Sequence, residues 1–307
     1  MDFLTELDNN NSSLTNTSDY DKCNQTMIEL ENYVLNSETY KEPYFIQFLP
    51  TLMNNIANFK TSEQAKKTSK IIIDNINIYS INVILELLFT SLESMKWQTK
   101  CGALTVLGLL KNLDNEVVRQ NIPEILLKLI EMASDVKKEV KQQTKICFEE
   151  ICSVIDNVDI VKIIPNIIQA YMEPVKYTES ALDELVSTSF INEVDVSTLG
   201  LLVPLLTKGM REKKVAIKRR SALVIGNMCK LVNDPRTAAI FYPILKPILE
   251  RGIDEIAVEE VRNVCSKSLE TLQRVSSEAS EISSTVMKKE ELNQLICEHL
   301  NDKFNNK

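Results

Sequence analysis

From residue 48 onward, apolar positions come in blocks at helical spacing, and five blocks share a proline: FLPTLMNNI (48–56), NIPEILLKLI (121–130), IIPNIIQAYM (163–172), LVPLLTKGM (202–210) and FYPILKPIL (241–249). Pro123, Pro165, Pro204 and Pro243 stand 42, 39 and 39 positions apart. Pro50 to Pro123 is 73, two units of about 36 with a proline-free copy, INVILELLFTSL (81–92), between them. Each block is followed by a second amphipathic stretch, over roughly 62–78, 96–111, 136–155, 178–191, 213–232 and 257–275. Two amphipathic helices recurring every ~40 residues mark a helical repeat, because one pair cannot bury both apolar faces and neighbouring pairs must stack. A proline in each first helix removes a backbone donor and crowds the preceding turn, so it predicts a bend or a break, and a repeated bend predicts curvature.

The pattern predicts an all-α fold, an α-solenoid of about six HEAT-like helix pairs over residues 21–275. Residues 22–36 read as a helix covering the first pair, and residues 1–20 as a disordered polar tail. Residues 276–307 read as a linker, SSEASEISS (276–284), and a capping helix, MKKEELNQLICEHLNDKF (287–304), with Leu292, Leu295, Ile296 and Leu300 on one side. Composition agrees: 307 residues, 44% hydrophobic, can bury a large core, while six glycines and nine prolines are too few for the turns of an all-β chain.

Candidate chemistry is sparse. Gly102, Gly108, Gly200, Gly209, Gly226 and Gly252 never give the spacing of a phosphate-cradling loop. The single histidine, His299, provides neither a metal cluster nor a nucleophile's base, and Glu149-Glu150 and Glu259-Glu260 are adjacent and point apart on a helix. The chain is therefore expected not to be an enzyme and to need no cofactor or metal. Seven cysteines occur without a Cys-x-x-Cys pair, and Cys101, Cys147, Cys152, Cys229 and Cys265 are expected to behave as small buried apolar residues in a reducing, cytoplasmic setting. The most apolar region, Ile71 to Leu92, is broken by Asp74 and Glu86, which argues against a membrane span, and the chain's start lacks a secretory signal.

Charge adds the sharpest feature. The net charge is −8, yet the second helices begin with bases: Lys66, Lys67 and Lys70; Lys96 and Lys100; Lys137, Lys138, Lys141 and Lys145; then Lys213, Lys214, Lys218, Arg219 and Arg220. A helix dipole favours acids in the first turn, so these bases oppose it. Equivalent positions of stacked repeats should form a discontinuous basic strip, fed by Lys208 and Arg211 and interrupted at the acidic YTESALDEL (177–185). Long basic side chains covering apolar surface would explain the earlier lysines. Around 208–220, self-repulsion calls for an anionic partner, phosphate or an acidic protein surface.

The segment LVPLLTKGMREKKVAIKRRSALVIGNMCKLVNDPR (202–236), with Pro204-Leu205-Leu206, Gly209, Glu212, Lys218-Arg219, the run Asn227 to Val232 and Asp234-Pro235, resembles a known family. It is similar to the HEAT domain of fungal translation elongation factor three and to the related region of the ribosome-associated activator of the amino-acid starvation kinase. FYPIL (241–245) and IAVEEVRNVCSKSLETLQRV (256–275) continue the likeness, and the first 200 residues share general repeat character. The resemblance implies docking on the ribosome, at ribosomal RNA and small-subunit proteins. It also implies that the ATP-binding cassettes following this region in the family are not part of these residues. Lys208, Arg211, Lys213, Lys214, Lys218, Arg219 and Arg220 are the expected RNA- or protein-binding residues, with Lys137, Lys138, Lys141 and Lys145 as a secondary strip. The alternative is a generic HEAT-repeat protein-interaction scaffold. The sequence leaves the oligomeric state open.

Overall fold

The computed structural model describes residue 14, residues 19–36 and residues 42–280. Most of the expected tail at 1–20 and the expected capping helix at 287–304 lie outside the described residues. Every regular element among the described residues is a helix. After α1 (Tyr20–Asn36) and the short α2 (Glu42–Ile46), helices follow in pairs: α3 (Leu49–Ile56) with α4 (Ser62–Asp74), α5 (Ile81–Leu92) with α6 (Trp97–Leu109), and α7 (Asn115–Met132) with α8 (Lys138–Cys152). Then come α9 (Ile164–Met172) with α10 (Pro174–Ser187), α11 (Val196–Arg211) with α12 (Val215–Lys230), and α13 (Pro235–Glu255) with α14, helical over 259–280. The fold is an all-α solenoid, with its pairs where the proline ruler puts them. Helix α14 extends through 276–280, the start of the segment whose composition reads as a linker.

The chain divides into two compact units, one of residues 1–156 with 161–177 and the other of 157–160 with 178–307. In the first unit α3 packs on α4 and α6, α5 on α6 and α7, α6 on α8, and α9 on α8. Leu52, Met53, Ile72, Ile84, Leu88, Leu104, Leu107, Ile125, Leu129 and Phe148 are buried in its core. Phe148 of α8 stacks on Tyr171 of α9, centroids 5.8 Å apart. Helix α1 packs on α4, where the buried Glu31 is satisfied by Lys67 Nζ and Thr68 Oγ1, each at 2.8 Å, and by Gln64 Nε2. In the second unit α11 packs on α12 and α13 around Leu202, Leu206, Ile225, Met228 and Leu249. Residues 157–160 are tied to it by Asp159, which accepts the backbone N–H groups of Ile191 and Asn192 at 2.8 Å.

The prolines do not break the helices. Pro50 and Pro165 lie in the first turns of α3 and α9, where the missing N–H has no intrahelical acceptor to lose. Pro123, Pro204, Pro243 and Pro247 lie inside α7, α11 and α13, and these helices continue past them. No helix ends at its proline. The most apolar stretch is divided between helices bent by 115° to each other, and no single helix among the described residues is long and apolar enough to cross a membrane. Cys147, Cys152, Cys229 and Cys265 are buried as expected, but Cys101 is only half-buried. Burial pushes the Cys152 and Cys229 thiols up to about 12.

Candidate anion-binding face

The helix starts sort by charge. Helices α7, α11 and α13 begin at Asp114, Asp195 and Asp234, whose carboxylates accept backbone N–H groups of the first turn. These first helices of their pairs obey the dipole. The second helices α6, α8 and α12 instead have Lys96, Lys137 and Lys214 at the N-cap, in extended backbone with no side-chain cap. In α6 and α8 a residue two positions earlier substitutes: Ser94 Oγ accepts from Lys96 N at 3.2 Å and Asp135 Oδ1 from Lys137 N at 2.8 Å. The positive charge noted in the sequence thus belongs to one kind of turn, the one inside each pair.

In the second unit, α12 presents Lys218, Arg219 and Arg220 one turn after its start. Ser268 Oγ of α14 donates to Ala222 O at 2.7 Å, and Gly226 lets that contact close, since a Cβ there would lie 2.6 Å from the same oxygen. Lys214 Nζ lies 2.6 Å from Glu179 Oε2, Arg220 pairs with Asp183, and Arg219 lies 2.8 Å from Glu260 Oε1. Glu179 and Asp183 come from YTESALDEL. That segment supplies counter-charge to α12 and relieves the self-repulsion without an external anion. The same spacing recurs elsewhere: Lys67–Glu31, Lys100–Asp135, Lys111–Glu150 and Lys128–Glu93 all join residues 35–39 apart, one repeat.

Of the seven residues expected around 208–220, four keep no ion pair among the described residues: Lys208, Arg211, Lys213 and Lys218. Lys208 and Arg211 occupy the last turn of α11, where a positive charge suits the dipole. Burial pushes the Lys208 ammonium pKa down, against the Glu212 carboxylate that raises it. Lys213 is exposed in the turn before α12. Arg211 and Lys218 meet at a recess of about 330 Å³ whose wall also contains Met210, Pro247, Ile248, Arg251, Gly252 and Glu255. Three cations there face one carboxylate, and that carboxylate lies 3.3 Å from Arg251 Nε. Gly252 keeps the floor low, because a Cβ would stand 2.9 Å from Cys265 Sγ and 3.0 Å from Met210 Cε. The arrangement suits a phosphate or carboxylate group held by bidentate guanidinium contacts.

Sequence reasoning missed Arg251, which sits mid-helix in α13 next to no other base. Its signal was the offset of 40 positions from Arg211, the repeat period itself. Lys137, Lys138, Lys141 and Lys145 are exposed on α8, in the other unit, with Lys145 3.9 Å from Glu149.

The model described as "EF3 N-terminal HEAT repeat" matches residues 3–148, and that described as "Elongation factor 3/GNC1 HEAT repeat" matches 176–283. The likeness therefore reaches well beyond 202–236, into the half where only repeat character had been read. Elongation factor 3 of Gonapodya prolifera is 36% identical over 237 residues, 76% of this chain and 22% of that protein. Elongation factor 3A of Saccharomyces cerevisiae is 35% identical over 237 residues, 76% and 23%. Protein ILITYHIA of Arabidopsis thaliana is 29% identical over 241 residues, 76% and 9%. Among solved structures, Kap121p bound to Nup53p gives a TM-score of 0.49 at 13% identity, over 95% of this chain and 32% of that one. The chain spans less than a quarter of the length of the relatives it matches. What these residues form is an elongation factor 3-type HEAT-repeat region.

Proposed function

We propose that this chain binds the ribosome through the second unit and so modulates elongation, acting by docking rather than by catalysis. Its location on this reading is the cytoplasm. The observation that carries the proposal is the recess of Arg211, Lys218 and Arg251, cationic in excess and inside the region similar to elongation factor 3. Ribosomal RNA offers phosphates of the right charge, and small-subunit proteins offer carboxylates. Lys208 and Lys213 extend the face, while Lys214, Arg219 and Arg220 join it only by leaving Glu179, Glu260 and Asp183. Lys137, Lys138, Lys141 and Lys145 are the secondary contacts.

Co-sedimentation of the purified chain with purified ribosomes tests this. Saturable binding that falls with salt supports it, and a chain that stays in the supernatant at 50 mM salt refutes it. The competing reading, a protein-interaction scaffold, gains if the chain ignores ribosomes yet the recess variant described below still loses a protein partner.

A further inference from the structure

In the first unit, each helix pair holds an apolar side chain out in water, in its internal turn or, for the last pair, in the first turn of its second helix. Phe59, Met95, Val136 and Val175 are 97%, 100%, 93% and 102% exposed. Each is followed directly by a lysine: Lys60, Lys96, Lys137 and Lys176. The intervals of 36, 41 and 39 residues are the repeat period, so the feature belongs to the turn and not to one loop. The first three turns share an edge. Thr99 Oγ1 at the start of α6 donates to Asn54 Oδ1 at the end of α3 (2.7 Å), Lys128 Nζ reaches Glu93 (3.2 Å), and Lys100 Nζ reaches Asp135 (2.8 Å). The fourth turn follows α9, which packs on α8.

Those ion pairs account for two acids of the edge, and Glu139 and Glu173 stand beside the tips as well. Glu93 and Asp135 are the acids of the second and third turns, and Lys128 and Lys100 already hold them. The lysine beside each apolar tip has no ion pair among the described residues; Lys60 lies over the ring of Tyr20 at 4.5 Å, and Lys176 lies over the ring of Tyr177 at 4.6 Å and hydrogen-bonds to that side chain. A row of hydrated apolar tips, each beside an ammonium outside any ion pair, fits a surface that buries carbon and brings carboxylates.

We infer that this edge docks a protein segment in which acidic side chains alternate with aliphatic ones. RNA fits the tips poorly: phosphates gain nothing from Met95, Val136 or Val175, and of the four tips only Phe59 carries a ring for a base to stack on. The inference concerns a different unit from the anion-binding recess, shares only Lys137 with the secondary strip, and does not rest on the ribosome reading.

The test uses the full chain and fluorescein-labelled synthetic peptides read by anisotropy: Glu alternating with Leu, Glu with Ser, and Lys with Leu. Binding of the Glu–Leu peptide alone is expected, and Met95→Ser with Val136→Ser should weaken it about tenfold, the loss of one strong interface anchor. The two side chains are almost fully exposed, so circular dichroism and the melting temperature should be unchanged. Equal binding by the variant, no binding of the Glu–Leu peptide, or tighter binding to a single-stranded RNA or to phosphatidylserine vesicles would overturn the inference.

Discussion

Lys214 at the start of α12 and Glu179 on α10 form an ion pair, Nζ to Oε2 2.6 Å, across 35 residues of sequence. With Arg220 on Asp183, it converts a cluster that looked self-repelling into one neutralised by the preceding repeat. These side chains are substantially exposed, so the pairs contribute well under ~1 kcal/mol to stability, and their larger effect is to set how much charge an outside anion meets. Glu179→Gln with Asp183→Asn should leave the melting temperature almost unchanged while freeing two cations. If those cations reach ribosomal phosphates, log affinity should fall more steeply with log salt, by about 1.4 to 1.8. An unchanged slope in ribosome co-sedimentation would mean that Lys214 and Arg220 serve only the fold.

How much of this was legible beforehand depends on distance along the chain. The proline period located six helix pairs because burial of an amphipathic face is a local pattern read once per repeat. The proline blocks at 121, 202 and 241 begin six residues inside α7, α11 and α13, because the ruler is the proline while each helix begins at its cap: Asp114, Asp195 and Asp234. The acids of 177–185 read as a gap in the basic strip because their partners lie one repeat away. Arg251 was passed over for the same reason: nothing next to it in sequence shares the recess.

Gly102 of α6 lies against the backbone of Met53 in α3, and a Cβ there would fall on the Met53 carbonyl. Backbone cannot rotate aside as a side chain does. Gly102→Ala should therefore force α3 and α6 apart and cost about 1–3 kcal/mol or more, despite alanine's better helix propensity. Gly252→Ala meets only Cys265 Sγ at 2.9 Å and Met210 Cε at 3.0 Å, the ends of side chains, and should cost less. Thermal unfolding of the two variants side by side checks the order; a Gly102→Ala chain as stable as the parent would contradict the close packing of these helices.

Acid should unfold the chain through its turn aspartates. At Asp135, Asp159 and Asp195 burial pushes the carboxyl pKa up, but hydrogen bonds from Lys100 and Lys137, from Asn192 and Ile191, and from Ser197 and Thr198 outweigh it and hold each below the usual value. Arg236 lowers Asp234 directly. A carboxylate whose pKa is depressed on folding stabilises above its unfolded value, near 3.9, and that stability is lost as pH falls through the folded value. Urea midpoints should thus be flat from about pH 7 to 5 and drop below about pH 4. Asp195→Asn keeps a capping residue but cannot titrate, so the difference between its midpoints at pH 6 and pH 3 should be smaller than the parent's.

The recess gives the most direct test of the functional reading. Reversing Lys214, Arg219 and Arg220 to Glu would set carboxylates against Glu179, Glu260 and Asp183, and any loss of binding would be mixed with loss of fold. Arg211, Lys218 and Arg251 avoid this, since among the described residues the only ion pair removed is that of Arg251 with Glu255, within one exposed helix turn. Arg211→Gln, Lys218→Gln and Arg251→Gln together should leave helicity intact and remove three phosphate contacts. At ~0.7 to 0.9 released counterions per contact, those three account for roughly an 18- to 42-fold fall in affinity between 50 and 200 mM salt, and the variant should lose that share of the parent's salt dependence. Because the recess borders α11, α12 and α13, the single replacement Lys218→Gln should remove about a third of that slope. A triple variant that co-sediments with ribosomes as tightly, and with as steep a salt dependence, as the parent would show that the recess faces only water.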